Sequence, residues 1–261
     1  MKFGIVVGKD NSKAEDLFKK MESYLVEKGH EVVSENLKGA DFIITLGGDG
    51  TLIHTACTNL ELGIPVVGIN LGKLGFLTAA EADDWQEALN KLIDGKYFIS
   101  ERMTLEAQLG GKKFRALNEV VVKGAFRVVD LMITVNGREF LSPSGDGVIV
   151  STQTGSTAYS LSAGGPIVDP DLDCLLVTPV NSHGLPVPSV VISPDDEVEI
   201  VVLEGEDISL IVDGQAHEII KIKDKININR GEFRVKLGFF NEHQFLKSLN
   251  SKFGLASRLV G

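Results

Sequence analysis

Short, wholly apolar segments alternate with longer amphipathic segments along the first third of the chain. Residues 3–7, 42–46 and 66–70 are brief runs in which aliphatic and aromatic side chains follow one another. Continuous runs of this kind are typical of strands that are buried on both faces of a parallel sheet. The alternation therefore predicts a Rossmann-like α/β domain in which helices cover both faces of the sheet.

Three segments between and after these runs have the apolar spacing of helices. In the first, Ser12 and Glu15 have the spacing of a capping box, and Gly29 is suited to the position just after the last turn. The second helix is predicted at residues 52–60. The third is predicted at residues 83–95, where the first aspartate acts as the cap and the last glycine ends the helix.

Beyond about residue 98 the pattern changes to β-branched runs that are separated by turn signals. The pairs Gly110-Gly111, Asn136-Gly137 and Asp213-Gly214 are typical of two-residue β-hairpin turns. Strands are predicted at residues 116–123, 131–135, 147–152, 197–203, 208–212 and 233–237. This part of the chain is therefore expected to be mostly β and to resemble a sandwich.

The last segment returns to a helical pattern. Residues 241–252 carry apolar side chains on one stripe. We therefore predict three parts: an α/β domain at 1–98, a β-rich domain at 99–240, and a helical tail at 241–261 that packs back on the first domain. A chain of 261 residues is long enough for two such domains.

Charge and cysteine content narrow the class of protein. The formal net charge is −10, from 26 basic and 36 acidic residues, which argues against nucleic acid or an anionic membrane as the main partner. Cys57 and Cys174 form no CxxC pair, so they are interpreted as free thiols. Neither a secretory leader nor an apolar run of about 18 residues is found, and a cytoplasmic protein is expected.

The first candidate for chemistry is the glycine-rich segment 47–51, Gly-Gly-Asp-Gly-Thr, which joins a predicted strand to a predicted helix. Glycines let the backbone approach a ligand closely, and the amides of a helix N-terminus attract anions. The segment matches neither a P-loop nor a dinucleotide GxGxxG fingerprint. A plain turn is the alternative interpretation, but it does not explain the number of glycines.

Asp49 lies in the middle of this segment, where a carboxylate would repel phosphate oxygens. The repulsion is removed when a metal ion lies between the groups or when the carboxylate takes up a proton. Phosphoryl transfer to a hydroxyl uses both, because a base accepts the proton of the attacking oxygen and Mg²⁺ neutralises the donor phosphates. The pattern therefore favours a phosphotransferase.

Four further segments combine glycine, hydroxyl and acidic residues in an unusual way. They are the second glycine loop at 68–76, the pair Asn118-Glu119, the turn 144–147 and the hydroxyl-rich segment 152–166. For Asn118-Glu119 an exposed edge of a strand is an open alternative, and for 152–166 a small-residue packing helix is the alternative. The acidic run 169–173 lacks the glycine and glutamate of a calcium loop, so a solvated turn is expected.

Taken in this order, these motifs resemble those of the NAD kinase family. The resemblance rests on segments 47–51, 68–78, 118–119, 146–147 and 154–166, together with Asp-Gly-Gln at 213–215, and it extends over most of the chain. The Gly-Gly-Asp-Gly motif alone is shared with phosphofructokinases and with diacylglycerol- and sphingosine-type lipid kinases, so the first domain is expected to be phosphofructokinase-like. One departure is Gln153, where the family pattern has proline.

The resemblance implies transfer of a terminal phosphoryl group to the 2′-hydroxyl of the adenosine ribose of NAD, which gives NADP. Asp49 is then the catalytic residue, either as general base or as an organiser of metal and donor. His54 either contacts the donor phosphates or is an ordinary exposed histidine. The residues expected to bind substrate are Gly50, His54, Asn118, Glu119, Arg127, Ser144, Asp146, Thr157, Ala158, Tyr159, Ser160, Leu161, Ser162 and Gln215.

The resemblance also implies the partners. The substrates are NAD and ATP or polyphosphate, the metal is a divalent ion, Mg²⁺, bound with the donor, and no residue is predicted as a dedicated metal ligand. The β-rich domain is expected to form a dimer or tetramer. Two alternatives stay open: a lipid kinase, which the net charge disfavours, and a non-catalytic NAD(P)-binding sensor, which has no use for Asp49.

Overall fold

The computed structural model describes residues 1–8, 12–72, 75–184 and 187–254. The chain divides into two compact units. The first, called here the α/β unit, contains Met1–Glu101 and Val235–Gly261, and the second, the β unit, contains Arg102–Arg234. The chain therefore leaves the α/β unit and returns to it near its end. Among the described helices, none is long and apolar enough to cross a membrane.

The first part of the α/β unit alternates strands and helices. Its elements are β1 (Lys2–Val7), α1 (Ser12–Glu27), β2 (Glu31–Val33), β3 (Phe42–Leu46), α2 (Asp49–Thr58), β4 (Val66–Asn70), β5 (Ala80–Glu81) and α3 (Trp85–Ile93). Strands β2, β1, β3 and β4 lie side by side in that order and are all parallel, with β5 beside β4. The predicted parallel sheet is thus confirmed.

The β unit contributes most of the remaining strands. Its elements, including two strands that continue into the α/β unit, are β6 (Phe98–Leu109), β7 (Lys112–Ala116), β8 (Glu119–Gly124), β9 (Val129–Val135), β10 (Arg138–Leu141), β11 (Ser144–Gly145), β12 (Gly147–Thr152), α4 (Tyr159–Ser162), β13 (Leu175–Val180), β14 (Val190–Ile192), β15 (Val198–Glu204), β16 (Ile208–Val212), β17 (Gln215–Ile220) and β18 (Lys225–Phe239).

Two antiparallel sheets form the β unit and enclose one apolar core. One sheet has the order β14-β13-β12-β8-β16-β17, and the other contains β10, β9, β15, β18, β6 and β7. Inward side chains of both sheets meet in the core, among them Val122 and Val150 from the first and Leu131 and Ile200 from the second. This arrangement is a sandwich, as the alternation of β-branched residues predicts.

All three predicted hairpin turns are confirmed. Gly110-Gly111 joins β6 to β7, Asn136-Gly137 joins β9 to β10, and Asp213-Gly214 joins β16 to β17. Both residues of each pair have positive φ, from 46° to 82°, which is the type I′ geometry that matches the twist of the flanking strands.

The chain ends on α5 (Gln244–Phe253), which belongs to the α/β unit. Gln244 and Ser248 are buried side chains of this helix, and they donate hydrogen bonds to the carbonyl oxygens of Thr78 and Gly75. The predicted return of the helical tail to the first domain is therefore confirmed. Residues 255–261 of the tail and residues 73 and 74 of the second glycine loop lie outside the described residues.

Several predicted boundaries differ from the structure, among them two helix starts and one strand. Helix α2 begins at Asp49 rather than at residue 52, so the glycine-rich segment itself forms its first turn. Asp83 does not cap α3, because residues 82–84 form a 3₁₀ turn and no side chain caps the helix. The strand predicted at 116–123 is two strands, which are separated at residues 117–118.

Candidate active site

The glycine-rich segment turns the chain sharply from β3 into α2. Gly48 has an extended backbone (φ −94°, ψ −172°) and precedes the first helical residue, Asp49. The Gly47 amide donates to the Ile69 carbonyl of the neighbouring strand β4 at 3.1 Å, which fixes the turn at the carboxyl edge of the sheet. Ligands bind at this edge in open α/β sheets.

The three positions of the turn are occupied by glycine for two different reasons. A methyl group at Gly47 would overlap the side chain of Thr51, so packing requires a glycine there. At Gly48 and Gly50 a methyl group would meet no described atom within 4 Å, and neither residue has a positive φ. Because neither described neighbours nor backbone conformation requires glycine at these two positions, the open backbone is best explained by close approach of a ligand.

The Asp49 carboxylate is held by the second glycine loop. Its two oxygens accept hydrogen bonds from the backbone amides of Phe76, at 2.8 Å, and Leu77, at 3.1 Å. The loop passes so close that a methyl group on Gly75 would overlap the carboxylate. The side chain is half-buried, so Asp49 has a fixed orientation and still reaches solvent. His54, further along α2, is exposed.

In the β unit, the pair Asn118-Glu119 is fixed by a carboxylate from a different strand pair. Asp213, in the turn between β16 and β17, accepts the backbone amides of Leu117, Asn118 and Glu119 at 2.8, 2.7 and 3.2 Å. Its own amide donates to the Glu119 carbonyl at 3.0 Å. These bonds interrupt the strand at residues 117–118 and explain why it is divided.

Glu119 is the buried carboxyl group of this region, with 5% of its surface exposed. Burial, and secondly the negative charge of Asp213, raise the pKa of Glu119 to about 8, against a smaller opposing effect of the Tyr159 backbone amide. Its Oε2 atom has no hydrogen-bond partner among the described residues. At neutral pH the side chain is therefore mostly protonated, and it can donate a hydrogen bond to an acceptor on a ligand.

The hydroxyl-rich segment folds as a short 3₁₀ turn, Thr154–Thr157, followed by α4. It packs closely on the neighbouring pair: a methyl group at Gly155 would overlap the Asn118 carbonyl, and the Thr152 hydroxyl donates to the Leu117 carbonyl at 2.6 Å. The segment and the Asn118-Glu119 pair thus form one fixed surface.

The predicted binding residues of this segment differ in exposure. Thr157, Ala158, Tyr159 and Leu161 are half-buried and Ser162 is exposed, so all five present some surface to solvent. Ser160 is fully buried, and its hydroxyl bonds to that of Thr178 at 3.0 Å. Its side chain therefore has a partner inside the unit.

Asp146 lies at the other end of the same strand pair. In the β8–β12 register Ser151 is opposite Glu119, whereas Gly147, next to Asp146, is opposite Lys123. The five-residue step from Asp146 to Ser151 corresponds to about 16 Å along a strand. The carboxylate of Asp146 accepts a hydrogen bond from the Asn181 side chain at 2.7 Å.

The remaining predicted residues of the β unit are near the surface. Ser144, on β11, is half-buried, and its carbonyl accepts the His183 amide at 2.7 Å. Arg127 is exposed and forms an ion pair with Glu206 at 3.4 Å. Gln215 is exposed at the start of β17, directly after the Asp213-Gly214 turn.

Sequence reasoning missed the partners of the two key carboxyl groups. Gly75 and Phe76 belong to the second glycine loop and Leu77 follows it, but no pattern in the sequence pairs them with Asp49. Nor does the sequence show that the Asp213 carboxylate supports Asn118-Glu119. An aspartate in an Asp-Gly turn signals a hairpin, but no local pattern shows which distant amides its side chain accepts.

The acidic run 169–173 forms the predicted solvated turn, in which Asp169, Asp171 and Leu172 are exposed and the last residue, Asp173, is half-buried. Asp173 forms an ion pair with Arg234 and accepts a hydrogen bond from the Gln153 side chain at 2.9 Å. Burial lowers the pKa of the Arg102 guanidinium to about 10. The negative charges of Asp171 and Asp169 oppose this shift. Cations and an amide from the β unit therefore hold the run in place.

A metal centre built from protein ligands is not present in the described part of the chain. Within these residues no group of three His, Cys, Asp or Glu side chains is placed to hold a metal ion. In the glycine-rich turn the available carboxylate is Asp49, which already accepts two amides. This donor set suits a metal ion that is held mainly by another ligand.

Family models cover both parts of the chain. Residues 30–97 match the model described as ATP-NAD kinase N-terminal domain, and residues 117–238 match the ATP-NAD kinase C-terminal domain. The chain is 38% identical over 247 residues to NAD kinase of Lachnoclostridium phytofermentans, covering 89% of this chain and 87% of that protein. It is 42% identical over 241 residues to NAD kinase of Desulforamulus reducens, covering 86% and 84%.

Solved structures show the same fold. An NAD kinase from Archaeoglobus fulgidus in complex with ATP superposes with a TM-score of 0.79 at 29% identity, covering 95% of this chain and 96% of that one. Yeast NADH kinase complexed with NADH superposes with a TM-score of 0.89 at 22% identity, covering 100% and 90%.

Proposed function

This chain belongs to the NAD kinase family, and on that premise we propose that its Asp49 accepts the proton of the attacking hydroxyl. The activity is that of an enzyme that transfers a phosphoryl group to NAD, at the 2′-hydroxyl of the adenosine ribose, to give NADP. What remains to be assigned is the part that each residue plays.

The observation that carries the assignment is the setting of the Asp49 carboxylate. It lies at the first residue of a helix, between two glycines with open backbone, and two amides fix its direction. A base must be oriented and accessible, and a donor phosphate must approach without a side chain in its way. The Asp49 setting meets both requirements within the α/β unit.

In the proposed step, Asp49 takes the proton from the 2′-hydroxyl while that oxygen forms a bond to the terminal phosphorus of the donor. The bond between this phosphorus and the bridging oxygen breaks, and the remaining phosphate chain leaves with the bonding electrons. The open backbone at Gly48 and Gly50 holds the donor phosphates, and His54, which is exposed on the helix that begins at Asp49, contacts them as well. ATP is the proposed donor.

NAD binding is assigned to the β unit. Asn118 and the protonated Glu119 hold the adenosine half by directional hydrogen bonds, and the ring of Tyr159 packs against it. Asp146, about 16 Å away along the strand pair, holds the nicotinamide half. The separation of these groups suits an elongated ligand with a polar group at each end.

The other predicted residues complete this assignment. Thr157, Ala158, Leu161 and Ser162 line the base pockets, Ser144 and Arg127 support the nicotinamide half, and Gln215 closes the site. Ser160 was also predicted to bind substrate. Because its hydroxyl is already bonded to Thr178, we assign it a supporting part in which it fixes α4.

We propose Mg²⁺ as the divalent ion and the donor phosphates as its main ligands. When bound, it neutralises charge on the phosphate chain. In the alternative to the base role, the Asp49 carboxylate would hold this ion together with the donor phosphates. A dimer or tetramer, formed through the β unit, and a cytoplasmic location stay predictions.

The experiment is Asp49→Asn, which keeps the size of the side chain and removes its ability to accept a proton. We expect kcat for NADP formation to fall by roughly 10²-fold or more, because a base contributes about that factor, while NAD binding is retained. The matched control is Asp94→Asn, an exposed carboxylate of the same unit, which should leave the rate unchanged.

Two other results would change the assignment. Recovery of the Asp49→Asn rate at high Mg²⁺ would show that Asp49 organises the metal and donor rather than acting as the base. Full activity of Asp49→Asn at the Mg²⁺ concentration used for the parent enzyme would show that Asp49 takes no part in the chemistry.

A further inference from the structure

The C-terminal helix α5 contacts the same loop that holds Asp49. Gln244 and Ser248 are polar residues of this helix, yet they are 6% and 0% exposed. They are four residues apart, so they lie on one face of the helix, one turn from each other. Burial of polar side chains on the inner face of a helix is costly unless they make specific hydrogen bonds.

Both side chains donate to the backbone of the loop that follows β4. The Ser248 hydroxyl donates to the Gly75 carbonyl at 3.3 Å, and the Gln244 side-chain amide donates to the Thr78 carbonyl at 3.4 Å. The Gly75 amide in turn donates to the Thr78 hydroxyl at 3.2 Å. Helix α5 therefore contacts the first and last residues of the segment 75–78, called here the loop 75–78.

The opposite side of the loop faces the proposed base. Between the two carbonyls that α5 contacts, the amides of Phe76 and Leu77 donate to the Asp49 carboxylate. Displacement of residues 75–78 relative to Asp49 would stretch or break their hydrogen bonds to α5. A shift of the loop would consequently change the direction of the carboxylate.

Aromatic packing joins the helix to the loop as well. The Phe76 ring lies 6.4 Å, centroid to centroid, from the rings of both Phe245 and Phe253, and the Lys252 ammonium lies 4.4 Å from its centre. These residues come from the first and last turns of α5. The apolar contacts and the hydrogen bonds thus fix the same four-residue loop.

We propose that Ser248 and Gln244 are positioning residues, which set the direction of the Asp49 carboxylate through the loop 75–78. This proposal rests on the function proposed for Asp49. It predicts that the C-terminal helix affects the rate of the chemical step, although neither Ser248 nor Gln244 forms a hydrogen bond with Asp49.

The test is Ser248→Ala, with Ser251→Ala on the exposed face of the same helix as the matched control. For Ser248→Ala we expect kcat to fall about five-fold while KM for NAD and for ATP changes less than about two-fold, because orientation and not ground-state binding is lost. Hydrogen–deuterium exchange of a peptide spanning the loop should become about ten-fold faster. Ser251→Ala should change neither quantity.

Two further variants separate positioning from loss of packing. Ser248→Thr restores the hydroxyl and should recover most of the rate. In the Asp49→Asn background, Ser248→Ala should cause no further loss of kcat, because a residue that acts through Asp49 has nothing left to position. An additional five-fold loss there would overturn the proposal.

The remaining outcomes are also decisive. Unchanged loop exchange in Ser248→Ala, or a higher KM at constant kcat, would overturn the positioning role while leaving the function of Asp49 intact. If Asp49→Asn keeps full activity, the role proposed for Asp49 is wrong. A lower kcat in Ser248→Ala would then have a cause other than the direction of Asp49, and the positioning role would be overturned as well.

Discussion

The two units hold carboxyl groups in opposite ways. In the α/β unit, Asp49 is half-buried and both oxygens accept backbone amides of a neighbouring loop. In the β unit, Glu119 is buried, one of its oxygens has no partner among the described residues, and a second carboxylate, Asp213, accepts the amides around it. Both oxygens of Asp49 accept a described hydrogen bond, whereas Glu119 accepts one from the Tyr159 backbone amide and its Oε2 atom has no described partner.

This difference suits different tasks. A carboxylate with two fixed donors and access to solvent is oriented to accept a proton. A carboxyl group whose pKa is raised to about 8 by burial is mostly protonated at neutral pH and donates a hydrogen bond to a ligand. Environment rather than residue type therefore separates the proposed base from the proposed binding group.

The largest effect on this comparison is expected from Gly75→Ala. Its methyl group would overlap the Asp49 carboxylate and would force the side chain or the loop to move. We expect kcat to fall by roughly ten- to a hundred-fold, as small misplacements of a catalytic group can cost that much. Steady-state kinetics at saturating NAD and ATP measure the change.

Gly72→Ala is the contrast for this variant. A methyl group there meets no described atom within 4 Å, so a loss of less than about three-fold is expected. If kcat fell equally in the two variants, alanine at either position would lower the rate. Overlap with the Asp49 carboxylate would then not be the cause.

An intermediate effect is expected from Asp213→Asn. This change removes the negative charge of the side chain whose oxygens accept three backbone amides at the Asn118-Glu119 pair. Asparagine tolerates the positive φ of 46° at this position, so the turn is kept. Charge-assisted hydrogen bonds of this kind contribute about 1.5–3 kcal/mol, so Tm should fall by roughly 5 °C. KM for NAD should rise about ten-fold at a nearly constant kcat.

The control is Asp207→Asn, another aspartate at positive φ, 49°, in an exposed turn of the same unit. Its Tm should stay within about 1 °C of the parent. If Asp213→Asn instead lowered kcat and left KM for NAD unchanged, the assignment of NAD binding to this region would be contradicted.

Glu119 is also expected to make folding stability depend on pH. The pKa of Glu119 is raised in the folded state, so between about pH 4.5 and pH 8 the native state binds more protons than the unfolded state. Folding stability from this group is therefore greatest below the unfolded pKa and falls as pH rises toward 8, by an amount on the order of a few kcal/mol.

Glu119→Gln removes this titration and keeps a neutral side chain of the same size. Relative to the parent, its Tm should be close at pH 5 and a few degrees higher at pH 8, measured by thermal melts across that range. A parent and variant that stay parallel from pH 5 to pH 8 would show that Glu119 is ionised at neutral pH.

Local pattern predicted the fold well where neighbouring residues decide the structure. The apolar runs at 42–46 and 66–70 and the Asn136-Gly137 and Asp213-Gly214 turns are correct to the residue. Helix starts were less accurate, because α2 takes its first turn from glycine and aspartate, which have weak intrinsic helix propensity. Packing of Leu52 and Ala56 against the sheet, rather than propensity, supports that turn.

The sequence by itself determined the two-part organisation, the hairpins, and the family motifs that name the reaction. These depend on periodicity, on glycine at positive φ and on residue type, all of which are read within a few positions of the chain. On that basis Asp49 is predicted to be the site of chemistry, since a carboxylate between glycines is unusual.

Only the tertiary structure decided what surrounds each carboxyl group. The Asp49 donors lie 27 and 28 residues away, those of Asp213 lie about 95 residues away, and Ser248 reaches Gly75 across 173 residues. Burial and hydrogen-bond partners arise from such distant contacts, and they fix the direction of Asp49 and the protonation of Glu119. The chemistry of each acid is therefore set by neighbours that no local pattern identifies.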